Sequence, residues 1–242
     1  MVILKGQRAV VTGASSGIGK AIALSLASQG VSVCLVGRNL QVLEDMAKEM
    51  KGVSPGIECY QADITLDADI EKLRACLHRD FGSIDILIHS AGICSMGRFE
   101  NTSVEHLDKQ YQINVRAPYL LTQVLLPFII SRRGQIVFIN SSIGLSTKAN
   151  FSQYAATKHA LKAIADTLRA EVNTRGVRVV SIYPGKTATP MQEAIHEREG
   201  RTYRPEQLMQ AEDIASVTIN VLSLPRSAEV TDIHIRPCMK SE

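Results

Sequence analysis

Short apolar runs alternate with longer segments of helical periodicity along most of the chain. The short runs are apolar throughout rather than at every second residue, which is typical of strands that a parallel sheet buries on both faces. The predicted strands are residues 8–11, 31–36, 57–62, 84–88, 135–140, 177–183 and, at an edge, 230–235. Apolar residues at helical spacing predict helices over 20–27, 40–51, 66–80, 103–131, 154–175 and 213–222.

This alternation of strand and helix predicts one α/β domain with a doubly wound, mostly parallel sheet of about seven strands and helices on both faces. Ligands of such sheets bind beyond the carboxyl ends of the strands. One segment, residues 186–210, breaks the alternation because it is rich in charge and poor in β-branched residues. We interpret it as a long irregular lid that moves over the site, in preference to an ordinary surface insertion.

The composition of the chain argues against several classes of partner. The 242 residues are 45% hydrophobic and 21% charged, as in ordinary globular proteins. The net charge of +3 is small and evenly spread, so neither nucleic acid nor an anionic membrane is an expected partner. No run of about 18 apolar residues and no secretory leader is evident. The five scattered cysteines lack metal-ligand spacing; no metal site is predicted, and reduced thiols fit a cytoplasmic protein.

The most informative segment is the glycine turn from Thr12 to Gly19, which joins the first predicted strand to the first helix. Its spacing is Gly-x3-Gly-x-Gly, with Gly13, Gly17 and Gly19 as the glycines. Glycines allow the backbone to approach a phosphate closely, and a helix N-terminus offers free N–H groups and the positive end of its dipole. A turn without a ligand is the alternative, but the flanking strand and helix favour phosphate binding.

Three further side chains lie where this fold would place a reaction. Ser141 follows the fifth strand, and Tyr154 and Lys158 are four residues apart on one face of the next helix. An ammonium can stabilise a phenolate, and a hydroxyl can hold a carbonyl oxygen in line for a proton. The alternatives are a helix-capping serine, a half-buried tyrosine and a surface lysine.

With these motifs the chain resembles the short-chain dehydrogenase/reductase family over nearly all of its length. The glycine turn matches the family's glycine motif, and Asp63 matches its adenine-side aspartate. The family's active-site tetrad falls on Asn114, Ser141, Tyr154 and Lys158; Ser141 is preferred to Ser142 because Gly144 completes the family's Ser-x-x-Gly pattern. The resemblance implies a Rossmann-like doubly wound fold over residues 1–242 and carbonyl–alcohol interconversion by hydride transfer.

The resemblance also implies a role for each member of the tetrad. Tyr154 would be the general acid or base, and Lys158 would bind the nicotinamide ribose and lower the pKa of Tyr154. Ser141 would polarise the carbonyl, and Asn114 would anchor a water that connects Lys158 to solvent. The alternative for Asn114 is an exposed polar residue on a helix.

The cofactor contacts implied by the family span the whole chain. They are Gly13, Ser15, Ser16, Gly17, Ile18, Gly19, Arg38, Asn39, Asp63, Ile64, Ser90, Ala91, Gly92, Tyr154, Lys158, Pro184, Gly185 and Thr187, with Thr189 as a further carboxamide contact. One departure is His89-Ser90-Ala91-Gly92, where the family usually has Asn-Asn-Ala-Gly. The serine puts the geometry of that loop and the cofactor affinity in question, whereas His89 is interpreted as structural.

The end of the second strand indicates which dinucleotide binds. Proteins that prefer NAD place an acidic residue there to accept the ribose hydroxyls. This chain has Gly37 instead, followed by Arg38, whose guanidinium can pair with a 2′-phosphate. NADP(H) is therefore the predicted cofactor; the alternative is a solvated arginine at a strand end.

The substrate is less well defined. Family position implies a pocket lined by Ser95, Met96, Ile143, Leu145, Phe151, Gln153 and Met191. A small ketone or a 3-hydroxy acid is the favoured substrate, with a 3-oxoacyl thioester on acyl carrier protein as the alternative. A non-catalytic NADP-binding sensor or scaffold is the alternative from another class. The long helices at 103–131 and 154–175 resemble those that pair subunits in the family, which implies a homodimer or homotetramer.

Overall fold

Seven strands form one sheet in the order β3-β2-β1-β4-β5-β6-β7 in this computed structural model, which describes residues 4–238. The strands are β1 (Arg8–Thr12), β2 (Ser32–Gly37), β3 (Ile57–Gln61), β4 (Ile86–His89), β5 (Gln135–Ile139), β6 (Arg178–Pro184) and β7 (Asp232–Ile235). Every pairing within this sheet is parallel. The predicted doubly wound, Rossmann-like sheet is confirmed.

The described residues contain eight α-helices, six of which pack on the two faces of the sheet. They are α1 (Gly17–Ser28), α2 (Leu40–Glu49), α3 (Asp67–Asp80), α4 (Val104–Tyr111), α5 (Ala117–Ser131), α6 (Ser152–Val172), α7 (Pro190–Glu199) and α8 (Ala211–Leu222). Val11 of β1 packs in one apolar cluster with α1, α2 and α8, and its neighbour Val10 packs in the other with α3, α5 and α6. Both side chains are fully buried, which explains why the strand is apolar throughout.

The helix predicted over 103–131 is continuous but not uniform. A π-helical segment, Gln112–Arg116, joins α4 to α5. It adds backbone between two regular helices, and such insertions are frequent at functional sites because they redirect a side chain. The side chain in the middle of this segment is Asn114, which is buried.

This composite helix, Val104–Ser131, is long and apolar enough to cross a membrane by length and composition alone, with a mean hydropathy of 1.4 in its most apolar window. That result differs from the expectation that no such run exists, because the test accepts a window with a few polar residues and not only an unbroken apolar run. Leu121, Leu125 and Ile129 are fully buried in the cluster beneath the sheet. Their packing is that of a helix in a sheet-covering layer.

The segment 186–210 is not the long irregular stretch that its composition suggests, because it contains α7. Thr189 caps α7 with a side chain that accepts a hydrogen bond from the Gln192 amide at 3.3 Å. Pro190 occupies the first helical position, and Gly200 ends the helix in the left-handed conformation with φ of 64°. The caps favour a helix here although the apolar periodicity of the segment is weak. Its predicted motion over the site stays a prediction.

The strand order places a crevice between β1 and β4. From β1 the chain proceeds to β2 and β3 on one side, and from β4 to β5, β6 and β7 on the other. The chain therefore leaves the carboxyl ends of β1 and β4 towards opposite sides of the sheet, and sheets of this kind bind ligands at such a point.

Candidate functional site

The glycine turn between β1 and α1 is packed so tightly that side chains are excluded. A Cβ on Gly13 would lie 2.7 Å from the Ala91 amide nitrogen, and Gly13 has φ of +65°. A Cβ on Gly19 would lie 2.3 Å from the Gly13 carbonyl oxygen. The turn consequently presents backbone and the N-terminus of α1 to the cleft, which fits an anionic ligand such as a dinucleotide phosphate.

The loop after β4 is held against this turn by Thr12. The Thr12 hydroxyl accepts hydrogen bonds from the Ser90 amide at 3.2 Å and from the Ala91 amide at 3.4 Å. It also donates to the Ile88 carbonyl at 3.3 Å. These bonds from two main-chain amides to one hydroxyl fix the loop at Ser90. His89 is buried, stacks on Phe138, and has a pKa lowered by burial to about 3, as expected of a structural histidine.

A cavity of about 430 Å³ lies over the glycine turn. The predicted cofactor residues that line it are Gly13, Ser15, Ser16, Gly17, Ile18, Gly19, Arg38, Asp63, Ile64, Ser90, Ala91, Gly92, Tyr154, Lys158 and Thr189. Asn39 is not among the lining residues; its side chain accepts a hydrogen bond from the Val42 amide and caps α2, and its predicted cofactor contact stays a prediction. Pro184, Gly185 and Thr187 line a second, adjoining cavity. The glycine backbone, the N-terminus of α1 and Arg38 among the lining residues fit a dinucleotide.

Two charged residues shape the end of the cavity near β2. Arg38 is exposed at its rim, and Asp63 is held by Thr65, whose amide and hydroxyl donate to Asp63 Oδ1 at 2.9 and 2.7 Å. These two bonds lower the pKa of Asp63, with a smaller contribution from Arg38. Gly37 contributes no side chain to this end of the cavity, and a Cβ there would lie 3.3 Å from Leu43 Cδ2. The cavity wall therefore carries no charge at position 37.

Ser141, Tyr154 and Lys158 converge at the junction of the two cavities. Tyr154 lines both cavities, Lys158 lines the first, and Ser141 lines the second. The Lys158 ammonium donates to the Ile139 carbonyl at 3.0 Å and lies 5.8 Å from the centroid of the Tyr154 ring. Tyr154 and Lys158 are both buried. The structure thus brings a phenol, a hydroxyl and an ammonium together from β5 and α6.

Burial dominates the ionisation of this group. It raises the pKa of Tyr154 well above the usual value, and the hydrogen bond with Ser141 lowers that pKa only in part. This direction is opposite to the lowering expected from Lys158, because burial removes the phenolate from water and disfavours the charged form. Burial lowers the pKa of Lys158 to about 8. Near neutral pH the arrangement therefore holds a protonated phenol that can donate a proton to an oxygen bound beside Ser141.

Asn114 is fully engaged with the backbone of the neighbouring loop. Its carbonyl oxygen accepts from the Ile93 amide at 2.9 Å, and its amide nitrogen donates to the Ile93 carbonyl at 2.9 Å. The same nitrogen contacts the Thr157 hydroxyl at 3.1 Å. Asn114 therefore ties the loop after β4 to α6, one residue from Lys158. The alternative of an exposed polar residue is wrong, since Asn114 is buried.

Asn140 is a site residue that the sequence reasoning missed. Its carboxamide accepts from the Ser141 amide at 2.9 Å and donates to the Lys158 carbonyl at 3.1 Å, so it sets the distance between β5 and α6. A Cβ on Gly144 would lie 2.6 Å from Asn140 Oδ1, which explains the glycine there. The sequence contains one signal for Asn140 as a site residue: it is a polar residue at the end of a predicted apolar strand, directly before Ser141.

The second cavity, of about 310 Å³, extends from Tyr154 beneath α7. Ile143, Phe151 and Met191, predicted to contact substrate, line it. Ser95, Met96, Leu145 and Gln153 are not among its lining residues. Gln153 instead donates to the Ser103 carbonyl and accepts from Gln110, which in turn holds the Ser95 amide.

Residues 4–238 contain no group of three or more His, Cys, Asp or Glu side chains that could hold a metal ion.

Comparison with known proteins gives consistent matches. Residues 7–200 match the family described as short chain dehydrogenase. An uncharacterized oxidoreductase of Staphylococcus epidermidis is 34% identical over 238 residues, which cover 98% of this chain and 100% of that protein.

Two solved structures share the fold across their whole length. A 3-ketoacyl-(acyl-carrier-protein) reductase from Brucella melitensis, complexed with NADH, is 26% identical with a TM-score of 0.84, and 96% of this chain and 97% of that chain are covered. The closed form of a serine dehydrogenase complexed with NADP+ is 25% identical with a TM-score of 0.88, and the coverage is 98% and 97%.

Proposed function

This chain belongs to the short-chain dehydrogenase family, and from that premise we propose that it is an NADP(H)-dependent oxidoreductase that interconverts a carbonyl and a secondary alcohol. The observation that carries the proposal is the position of Tyr154, which lines both the cavity over the glycine turn and the adjoining cavity. A cofactor held in the first cavity and a substrate held in the second would meet at this phenol. When bound, the nicotinamide ring supplies or accepts the hydride.

In the reduction direction each polar side chain has a defined task. Ser141 donates a hydrogen bond to the carbonyl oxygen and orients it towards Tyr154. Tyr154 gives its phenolic proton to that oxygen as the carbon receives the hydride, so a C–H and an O–H bond form and C=O becomes CH–OH. The Lys158 ammonium stabilises the resulting phenolate, and Asn114 and Asn140 keep α6 in position.

The pH dependence of reduction follows from Lys158. With a pKa of about 8, Lys158 is an ammonium below that pH and a neutral amine above it. Tyr154 stays protonated through this range because its pKa is raised. We expect kcat/KM for reduction to be constant between pH 6 and 7 and to fall about tenfold per unit well above pH 8. A steady-state profile from pH 6 to 10 measures this, and a flat profile to pH 10 would contradict the assignment to Lys158.

The choice of NADP(H) over NAD(H) is supported by Arg38 at the cavity rim and by the absence of a carboxylate at Gly37. The similar structures hold either cofactor, the serine dehydrogenase NADP+ and the 3-ketoacyl reductase NADH. A first test follows the oxidation of NADPH, and in parallel of NADH, by the loss of absorbance at 340 nm in the presence of a panel of carbonyl compounds.

The panel would contain small ketones, 3-oxo esters, 3-oxoacyl thioesters, diketones and steroids. Turnover with NADPH supports the proposal.

A small ketone or 3-hydroxy acid is the proposed substrate type, in keeping with a cavity of about 310 Å³. Reduction of a 3-oxoacyl thioester is the second candidate, favoured by the similarity to the 3-ketoacyl reductase. Carrier-protein thioesters measured against free small ketones separate the two. Tight NADPH binding with no turnover across the whole panel would instead favour a sensor or scaffold. The proposed compartment is the cytoplasm, since all five cysteines are free thiols.

We also propose that the protein forms a homodimer or homotetramer. Val104, Tyr111 and Tyr119 lie on the composite helix α4–α5 and are 66%, 51% and 54% exposed, which is unusual for large apolar side chains. Burying them against a second copy would remove this apolar surface from water. Light scattering at micromolar concentration is expected to give two or four times the chain mass of 26.4 kDa. A monomer mass would overturn the assembly.

A further inference from the structure

Gln110, near the end of α4, is a fully buried carboxamide that the proposed reaction does not use. It is not among the residues that line the two cavities, so any effect it has on them passes through its neighbours. Its Oε1 accepts a hydrogen bond from the Ser95 amide at 2.9 Å, and its Nε2 donates to Gln153 Oε1 at 3.2 Å and to the His106 carbonyl at 3.3 Å. These three partners offset the cost of burying a carboxamide.

The first neighbour of this carboxamide is the loop after β4, which it holds at the Ser95 amide. Asn114, four residues later, holds the amide and the carbonyl of Ile93 in the same loop, each at 2.9 Å. Two carboxamides of the composite helix therefore bind the loop at positions 93 and 95. Cys94, which lies between them, is one cause of the raised pKa of Tyr154, so the bound segment lies close to the phenol.

The second neighbour is the first turn of α6, which contains Tyr154. Helices commonly fix this turn with a capping side chain, but the N-cap residue of α6 is Phe151, whose apolar side chain cannot accept a hydrogen bond from an amide. Gln153 provides a different link, since it accepts from Gln110 and donates to the Ser103 carbonyl at 2.8 Å. The residue directly before Tyr154 is thus bound to both ends of α4.

We propose that Gln110 is a positioning residue for the general acid: it holds Gln153 and thereby fixes Tyr154 relative to the loop after β4 and to a carbonyl bound beside Ser141. One carboxamide then connects the loop on the cofactor side of the site to the helix that carries the phenol. This inference rests on the proposed function, in which Tyr154 gives its proton to the substrate oxygen. Such a transfer needs close alignment, and a misplacement of about 1 Å costs about 10²-fold in rate.

The first test replaces Gln110 with methionine, which has a similar shape but makes none of the three hydrogen bonds. We expect kcat for NADPH-dependent carbonyl reduction to fall about 10- to 100-fold, while KM and the NADPH dissociation constant change less than about twofold. The ratio of kcat in ordinary water to kcat in heavy water should rise, because a misplaced phenol slows proton transfer relative to the other steps. A loss of folded protein alone would lower kcat and leave that ratio unchanged.

Two further variants make this test specific. Gln135→Met is the matched control, because Gln135 is also buried but donates to the Leu222 carbonyl at 3.0 Å, at the start of β5; it should keep the wild-type kcat and ratio. Gln153→Met breaks the link from the other side and should also lower kcat. The double variant with Gln110→Met should lose no more than the larger single change, because both break one link.

Three results would overturn the positioning role. They are an unchanged kcat in Gln110→Met, a fall in kcat without a rise in the ratio between ordinary and heavy water, and an equal fall in Gln135→Met. Losses that simply multiply in the double variant would show that Gln110 and Gln153 act separately, which also contradicts the proposal.

Hydrogen exchange separates this inference from the proposed function, because it needs no turnover. In Gln110→Met the amides of residues 93–97 and 152–160 should exchange faster, by a larger factor than those of β5, and Gln135→Met should leave both segments unchanged. This result in a protein that reduces no carbonyl would support the link from Gln110 to α6 while the proposed function fails alone. Unchanged exchange in both segments would overturn the positioning role even if the protein is a reductase.

Discussion

Replacing Tyr154 with phenylalanine is expected to lower kcat for NADPH-dependent carbonyl reduction by about 10³-fold, within the 10²–10⁴ range of general acid catalysis. The change removes the phenolic proton donor, which lines both cavities. Water is a poor replacement because Tyr154 is buried. The phenyl ring keeps the shape of the site, so NADPH affinity, measured by the fluorescence of the bound nicotinamide, should change less than about twofold.

Tyr60→Phe is the matched control. Tyr60 lies on β3, where its hydroxyl contacts Asp80, far from the cleft between β1 and β4. This variant should reduce carbonyls at the wild-type rate. Wild-type kcat in Tyr154→Phe would show that another group donates the proton, whereas loss of NADPH binding together with activity would mean that the hydroxyl supports the cofactor site and not the proton transfer alone.

Replacing Arg38 with alanine is expected to weaken NADPH binding about 30- to 150-fold and NADH binding less than about threefold. A charge-assisted contact between guanidinium and phosphate contributes roughly 2–3 kcal/mol, and NADH lacks the phosphate that makes it. The guanidinium is exposed at the rim of the cavity, while its carbonyl accepts a hydrogen bond from Gln61 at 2.9 Å. This bond from the Gln61 side chain to the main-chain carbonyl does not involve the Arg38 side chain, so the loop should keep its conformation in the variant.

Dissociation constants for both cofactors, with Arg74→Ala as the control, check this expectation. Arg74 pairs with Glu71 on the exposed side of α3 and has no contact with the cleft. The control should bind both cofactors as the wild type does. An equal loss of NADPH and NADH affinity in Arg38→Ala would refute the phosphate contact and leave Arg38 as a solvated residue.

The strands of the sheet were predictable because a strand with helices on both of its faces is apolar at consecutive positions. Val10 and Val11 face opposite layers of helices and are both buried, so an apolar strand in this chain indicates two covered faces. The caps of α7 were less visible. Thr189, Pro190 and Gly200 are ordinary loop residues in composition, and only their spacing around a weakly apolar segment produces a helix.

The candidate site was predictable where local motifs determine the backbone. The glycine turn is one such motif, and Tyr154 and Lys158 are another because one helical turn places them side by side. Contacts between distant segments were not predictable in this way. The bonds of Asn140 to Lys158 and of Gln110 to Gln153 join residues that are 18 and 43 positions apart.

The charged residues of the second cavity illustrate the same limit. Lys148 and Glu199 are 51 residues apart, and only the packing of α7 against the loop before α6 brings them together. In the sequence, Glu199 is one of several charges on a segment that resembles a solvated surface. The direction of the Tyr154 pKa shift was missed for a related reason, since burial depends on the whole fold and not on the neighbouring lysine.

The most direct test of the central claim follows the hydride itself. NADPH that carries deuterium at both C4 positions of the nicotinamide ring would be incubated with the protein and the best carbonyl of the panel, and the alcohol analysed by mass spectrometry. One deuterium on the carbinol carbon with the wild-type protein, and a rate of labelled product about 10³-fold lower with Tyr154→Phe, is the predicted result. An alcohol without deuterium, or no alcohol from any carbonyl while NADPH is bound, would contradict it.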